Sequence, residues 1–120
     1  MGYVFDFERL VVYQKALDIS DKIFVLTKDF SPRVQSSLGD QLRRAALSIC
    51  NNIAEGSGKK SAAAKGQYYS ISLDSARECI PVITLALRQK ELSPEQHDQL
   101  REEVIVICKM LFKLLSSVNR

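Results

Sequence analysis

Apolar residues recur along this chain at steps of three and four, which is the spacing of one face of an α-helix, and no stretch alternates strictly enough to predict a strand. Three short clusters interrupt the pattern: Ser31-Pro32, Gly56-Ser57-Gly58 and Ser93-Pro94. Since glycine and proline mark turns and helix ends, the clusters divide the chain into four predicted helices. These cover residues 8–29, 37–55, 61–90 and the segment that begins at Ser93.

Each predicted helix has an apolar stripe that identifies its core side. In chain order, the four stripes consist of Leu10, Tyr13, Leu17, Phe24 and Leu26 or Thr27; Leu38, Leu42, Ala45, Ile49 and Ile53; Tyr69, Leu73, Ala76, Ile80, Ile83 and Leu87; and Leu100, Val104, Ile107, Leu111, Leu114 and Val118. Short connections between long helices favour antiparallel neighbours. The predicted fold is therefore all-α, a single domain over residues 1–120 that forms an antiparallel up-down-up-down four-helix bundle.

Two helix ends have specific signals. Gly56 lies where a left-handed glycine cap would end the second helix. The fourth helix should begin with Ser93 as its N-cap, Pro94 in its first position and Gln96 completing a capping box.

The third and fourth helices also carry apolar residues away from their stripes. These are Ile71, Val82, Leu85, Ile105, Val106 and Phe112. In a monomer they would face water, and contiguous apolar patches usually mark interfaces, which predicts a homo-oligomer. The alternative is a wide core face with scattered apolar surface residues.

Composition is that of an ordinary globular protein, with 46% hydrophobic and 26% charged residues. No apolar run approaches the length of a membrane span, and the first residues lack the pattern of a signal peptide. A cytoplasmic location without a membrane partner is expected.

The net charge of +3 is unevenly distributed: residues 41–73 hold five basic groups and one acidic group, whereas residues 74–108 hold four basic and seven acidic groups. Residues 109–120 add three basic groups and no acid, so the prediction is a molecule with a basic pole.

Candidate catalytic chemistry is sparse. Cys50, Cys79 and Cys108 are widely spaced and are interpreted as free thiols, and His97 is the only histidine. No nucleophile-base pair, carboxylate dyad or metal-ligand spacing occurs, so we predict a protein that is not an enzyme and has no cofactor, catalytic residue or metal site. Residues 58–61 combine flexible backbone, two lysines and a helix start, which indicates either an anion site or a plain loop capped by Ser61.

One block of the second helix carries a family resemblance. Residues 41–58 read QLRRAALSICNNIAEGSG, with supporting segments at 10–16 and 26–30 and with Ser75 and Glu78 downstream. This block resembles the bacterial four-helix-bundle proteins encoded in intervening sequences of 23S ribosomal RNA genes. The resemblance implies a cytoplasmic homopentamer of unknown function. A related family, the accessory variability determinant of diversity-generating retroelements, implies RNA or DNA and a protein such as a reverse transcriptase as partners.

The same block places polar residues at helical spacing beside the apolar stripe. This structural polar stripe comprises Arg44, Ser48, Asn51 or Asn52, and Glu55, and it is predicted to involve Glu78 of the third helix. It fits a solvated face, a subunit contact or a ligand surface. Arg44 can pair with Asp40 four residues earlier. We expect one of Arg43 and Arg44 to reach Glu78 or Glu55, either inside the bundle or between subunits, and the other to face solvent.

Two functions fit these features. The first is nucleic-acid binding, RNA rather than DNA, through phosphate contacts from Arg43, Arg44, Lys59, Lys60 and Lys65. Tyr68 and Tyr69 would then stack on bases, although tyrosines on a long helix more often belong to the core. The alternative is a structural or protein-interaction bundle whose basic residues only solubilise it, with a small-molecule pocket between helices as a third and remote option.

Overall fold

The computed structural model describes residues 2–118, and it confirms a four-helix bundle. The helices are α1 (Val11–Lys28), α2 (Asp40–Ser57), α3 (Ala62–Arg88) and α4 (Pro94–Val118), and no strand occurs within the described residues. A 3-10 turn at Asp6–Arg9 precedes α1, and a π-helical turn at Gln35–Gly39 leads into α2. None of the described helices is long and apolar enough to cross a membrane.

Each helix packs mainly against two neighbours, and all four share one core. α1 packs against α2 and α4, and α3 packs against the same two helices. The α2–α3 contact is the most extensive and the α1–α4 contact is the thinnest. The end of α2 and the start of α3 therefore lie at one end of the bundle, together with the start of α1 and the end of α4.

The predicted core side is right for α2, where Leu42, Ile49 and Ile53 are completely buried. It is wrong for α1 at two positions: Leu17 and Phe24 are exposed, whereas Ile19 and Ile23 are buried. The other predicted residues of α1 do contact the core, with Thr27 buried and Leu10, Tyr13 and Leu26 partly buried. The reason is that α1 carries apolar residues on more than one side, and consecutive residues lie about 100° apart around a helix. Packing against α2 and α4 selects the side with the following residues: Val12, Ala16, Ile19, Ile23 and Thr27.

The remaining helices follow their predicted stripes, but two residues expected to face water do not do so fully. Val82 is buried at 7% exposure and Ile105 is half-buried. The other four are exposed as predicted: Ile71, Leu85, Val106 and Phe112. The α4 capping box is confirmed, since the Gln96 backbone N–H donates to the Ser93 hydroxyl and the Ser93 N–H donates to the Gln96 side chain.

Gly56 is not the left-handed cap that the sequence predicts. Helix α2 continues through it to Ser57, and no glycine in the described residues has a positive φ. Gly56 is instead buried, and a Cβ built on it would lie 2.6 Å from Cε1 of Tyr69. Glycine is needed here because the aromatic ring of Tyr69, on α3, lies directly against the backbone of α2.

Candidate nucleic-acid interface

The five basic residues predicted to bind nucleic acid do not lie together. Helix α2 spans 18 residues, or about 27 Å, with Arg43 and Arg44 in its first turns and Lys59 and Lys60 just past its end. Lys65 lies in the first turns of α3, beside the α2–α3 connection. The structure therefore separates a lysine cluster (Lys59, Lys60 and Lys65) from the two arginines at the opposite end of the bundle.

The lysine cluster is partly held by contacts within the chain. Lys59 Nζ lies 3.7 Å from a carboxylate oxygen of Glu55 and 5.1 Å from the centre of the Tyr68 ring. Lys65 Nζ donates to the backbone carbonyl of Ser57 at 3.0 Å, which ties the start of α3 to the end of α2. Lys60 is exposed and forms no ion pair within residues 2–118. Glu55 is the one acidic group paired with this cluster among the described residues.

The start of α3 is an ordinary capped helix end. The Ser61 hydroxyl accepts a hydrogen bond from the backbone N–H of Ala64 at 3.1 Å, so the interpretation of Ser61 as a cap is confirmed. Tyr69 is 3% exposed and belongs to the core, where burial raises the pKa of its phenol. Tyr68 remains half-buried, and the ammonium group of Lys59 lies over its ring.

Lys113, near the end of α4, is exposed at the same end of the bundle as the lysine cluster. Arg120, which the sequence assigned to the basic C-terminal stretch, lies outside the described residues.

Neither arginine of α2 reaches Glu78 or Glu55 within the chain, so the contact expected inside the bundle is not formed, whereas the pairing of Arg44 with Asp40 is confirmed. Arg44 pairs with Asp40 at 3.0 Å on the surface, and Arg43 donates to the side chain and backbone of Gln35. The reason is local geometry: Arg43 lies about 100° around α2 from Arg44, toward residues 35–39. Glu55 is about three turns away along α2 and lies beside Lys59.

The polar stripe of α2 joins α2 to α3. The hydroxyl groups of Ser48 and Ser75 are 2.7 Å apart, and the Asn52 side chain donates to the carbonyl and hydroxyl oxygens of Ser48 at 2.8 and 3.0 Å. Ser72, which is completely buried, donates to the backbone carbonyl of Ile49. Glu78 is exposed and lines the same surface groove as Arg44. Within this stripe Ser48 therefore joins α2 to α3, whereas Asn52 bonds only within α2, and Glu55 and Glu78 form no hydrogen bond between these two helices.

Two long-range pairs have no signal in the local sequence. Ser31 donates its backbone N–H and its hydroxyl to the two carboxylate oxygens of Glu91, at 2.7 and 2.8 Å. Lys22 Nζ lies 2.6 Å from Glu103 Oε1, joining α1 to α4. The first pair is 60 residues apart in sequence and the second is 81 apart, so only the folded arrangement reveals them.

The histidine and the three cysteines do not converge on one site within residues 2–118. His97 Nδ1 lies 2.9 Å from its neighbour Asp98, in the first turns of α4. Cys50, Cys79 and Cys108 are free thiols, and burial raises the pKa of each. Residues 2–118 contain no group of three or more histidine, cysteine, aspartate or glutamate side chains that could hold a metal ion.

Comparison with known proteins places this architecture in a family. A solved structure from Bacteroides thetaiotaomicron VPI-5482, described as a protein of unknown function from the S23 ribosomal protein family, has 25% sequence identity and a TM-score of 0.82. The similarity covers 88% of this chain and 98% of that one. No curated protein matches the chain. The 23S rRNA-intervening sequence protein family matches residues 8–113, nearly the whole bundle, and the chain belongs to this family.

Proposed function

We propose that this protein is a non-enzymatic, self-associating bundle that binds nucleic acid, RNA in preference to DNA. The observation that carries the proposal is the lysine cluster. It places three lysines at one end of the bundle with a single paired carboxylate among the described residues, and Lys113 adds a further positive charge at that end. RNA is the first ligand to test because the name of the family refers to a sequence within 23S rRNA.

The chemistry of this cluster suits the phosphate backbone rather than the bases. Lysine contributes a point charge with three donors, and contacts of this kind supply affinity that does not depend on sequence. Three phosphate contacts would give a slope of about −2 in the logarithm of the binding constant against the logarithm of salt concentration on single strands. One such cluster binds weakly.

Self-association would raise the affinity without any new contact. Several copies of the lysine cluster on one assembly would bind successive phosphates, because the second contact is made at high effective concentration. The exposed apolar residues Ile71, Leu85, Val106 and Phe112 support an assembly, and the resemblance suggests a pentamer. Arg44, which is 80% exposed and paired only with Asp40 among residues 2–118, would be a secondary contact at the other end.

The experiment is a gel shift across a salt series, with structured RNA, single-stranded DNA and duplex DNA as probes. The test variant replaces Lys59, Lys60 and Lys65 with glutamate, which reverses their charge. Its control reverses Lys28, Arg77 and Arg88, which are exposed elsewhere on the bundle, so both variants change the formal charge from +3 to −3. We expect binding to be lost only in the test variant.

The second candidate is a structural or protein-interaction bundle with no nucleic-acid role. The contacts of Lys59 with Glu55 and of Lys65 with Ser57 favour it, because they give two of the three lysines a function within the chain. Absence of binding at low salt, or equal loss in both reversed variants, would contradict the nucleic-acid proposal in favour of this one.

A further inference from the structure

Three aromatic residues that precede α1 form a chain of touching rings, which we call the aromatic segment (Tyr3, Phe5 and Phe7). The Tyr3 and Phe5 rings meet edge to face with their centres 5.0 Å apart. The Phe5 and Phe7 rings stack with their centres 5.7 Å apart and 16° between their planes. Tyr3 is 80% exposed and Phe5 is 54% exposed. Two neighbouring rings that remain this open form an exposed apolar patch, and such patches usually mark binding surfaces.

The aromatic segment is fixed to the bundle by ring contacts and hydrogen bonds. The Phe7 ring meets the ring of Tyr13, in the first turn of α1, edge to face at 5.0 Å, and Tyr13 packs against the core. The backbone N–H of Phe5 donates to a carboxylate oxygen of Glu8 at 3.1 Å, and the Gln14 side chain donates to the backbone carbonyl of Glu8 at 2.7 Å. Because the rings are already positioned, a ligand that stacks on them loses little affinity to ordering the protein.

The aromatic segment lies at the same end of the bundle as the lysine cluster. Ser20 of α1 contacts Cys50 of α2, with its hydroxyl oxygen 3.3 Å from the cysteine sulfur. The two helices are antiparallel, so a residue seven positions before Ser20 lies at the level of one seven positions after Cys50. Tyr13 therefore lies at the level of Ser57, the last residue of α2. Ser57 also accepts the hydrogen bond from Lys65, so the rings and the lysines flank the same end of α2.

The rings and the lysines suit different parts of a nucleic acid. The turn that carries the aromatic segment holds Asp6, Glu8 and Arg9, so it offers no excess of positive charge to a phosphate. Phosphates are attracted to the lysine cluster, whereas bases carry no net charge and stack on aromatic rings. Stacking on protein rings requires bases that are not already paired, and single strands, loops and bulges offer these.

We infer that the aromatic segment stacks on unpaired bases of a single-stranded RNA whose phosphates are held by the lysine cluster, with Tyr3 as the main stacking ring and Phe5 as the second. This inference rests on the proposed function and names the form of RNA that the site takes, which is single-stranded rather than duplex. Tyr3 is the main ring because it is the more exposed of the two and contact with Phe5 holds it in place. Tyr69 cannot stack on a base, because it is 3% exposed.

The aromatic segment precedes the part of the chain that matches the family. The family matches residues 8–113, which include the lysine cluster, whereas residues 3–7 lie before that region. Phe24 is also an open ring, at 49% exposure, but it lies near the end of α1, at the opposite end of the bundle from the lysine cluster. Stacking is therefore expected of the aromatic segment, and Phe24 provides a control.

The test compares two strands of about 12 nucleotides, an oligoadenylate RNA and an abasic ribose-phosphate strand, by fluorescence anisotropy across a salt series. Both strands offer the same phosphates, and only the first offers bases. We expect the wild type to bind the adenylate strand at least about fivefold more tightly than the abasic strand. Replacing both Tyr3 and Phe5 with alanine should lower this ratio to about one, and should leave the salt dependence unchanged because no charge is removed. Tyr3→Phe should keep the ratio, since it keeps the ring.

Phe24→Ala is the matched control and should keep the wild-type ratio. An unchanged ratio in the double alanine variant, or an equal loss of the ratio in Phe24→Ala, would overturn the inference. A lower mass of the double variant in light scattering would assign the two rings to a contact between copies and would overturn it as well. Equal, salt-dependent binding of both strands by the wild type would contradict the stacking and leave the lysine cluster in place. Binding of neither strand at low salt would contradict the proposed function, and the stacking with it.

Discussion

The guanidinium of Arg43 binds Gln35 at two points, with Nη1 2.7 Å from the side-chain oxygen and Nη2 3.0 Å from the backbone carbonyl oxygen. The amide nitrogen of Gln35 donates in turn to the carbonyl oxygens of Thr27 and Phe30, at 2.8 and 3.0 Å. Arg43 therefore fixes the π-helical turn at Gln35–Gly39 and joins the end of α1 to the start of α2.

Replacing Arg43 with alanine should destabilise the fold by about 2 kcal/mol, because it removes two charge-assisted hydrogen bonds and leaves Gln35 without its donor. Arg44→Ala is the matched control, since its pair with Asp40 is exposed and should contribute at most about 0.5 kcal/mol. Urea unfolding of both variants measures the difference. Equal free energies of unfolding would show that Arg43 has no structural role.

The four helices could be predicted because a period of three and four residues dominates the sequence. The core side of α2 could be predicted too, since its large apolar residues, Leu42, Ile49 and Ile53, lie on one side. α1 offers several apolar sides, and only contact with α2 and α4 decides between Ile23 and Phe24. The sequence pattern alone does not indicate which of these two sides of α1 faces the core.

The candidate site was predictable only in part, for a related reason. Lys59, Lys60 and Lys65 are close in sequence, so their cluster follows from local spacing. The position of Arg43 depends on a π-helical turn that the apolar period does not predict. The Ser31–Glu91 pair depends on two connections that meet only after all four helices have packed.

Gly56→Ala should destabilise the protein by about 1 to 3 kcal/mol, through overpacking. The new Cβ would lie 2.6 and 2.8 Å from two carbons of the Tyr69 ring and 3.2 Å from Cβ of Tyr68, so the two helices must separate. Gly58→Ala is the matched control. Its backbone is right-handed and its nearest neighbour would be 3.7 Å away, so we expect a gain of about 0.5 kcal/mol. Urea unfolding of both variants measures these changes. An unchanged unfolding free energy in Gly56→Ala would contradict the close contact between Gly56 and Tyr69.

Glu91 should make stability depend on pH in the acidic range. The backbone N–H and hydroxyl of Ser31, with help from Arg33, hold the pKa of this carboxyl below its ordinary value. The folded state thus favours the charged form, so this stabilisation is present above the unfolded pKa of about 4.3 and is lost as pH falls through the lower folded value. Glu91→Gln should be less stable than wild type at pH 7, and the difference in unfolding free energy between the two proteins should narrow below about pH 4.

Thermal unfolding of wild type and Glu91→Gln between pH 3 and pH 7 measures that gap. Glu78→Gln is the control, because Glu78 is exposed and forms no side-chain hydrogen bond or ion pair among residues 2–118. A stability difference between wild type and Glu91→Gln that stays constant down to pH 3 would contradict the lowered pKa of Glu91.

Cys79 should make the protein lose stability in alkali. Its side chain is completely buried, and burial, with smaller contributions from Cys108 and Glu78, raises the pKa of its thiol to about 12. An unfolded thiol ionises near about pH 8.5, so above that pH the unfolded state binds fewer protons than the folded state. Stability should therefore fall as pH rises from about 8.5 toward 12, by up to about 1.4 kcal/mol per pH unit from this group.

Urea unfolding of wild type and Cys79→Ala at pH 7, 8, 9 and 10 isolates the effect of this thiol, because Tyr13, Tyr69 and the other two cysteines are common to both proteins. The two curves of unfolding free energy against pH should converge as pH rises, since only the wild type loses the contribution of a thiol that stays protonated in the fold. Cys108→Ala is the matched control and should produce a weaker convergence, because Cys108 is only half-buried. Parallel curves for wild type and Cys79→Ala would show that the Cys79 thiol ionises as readily in the fold as in the open chain.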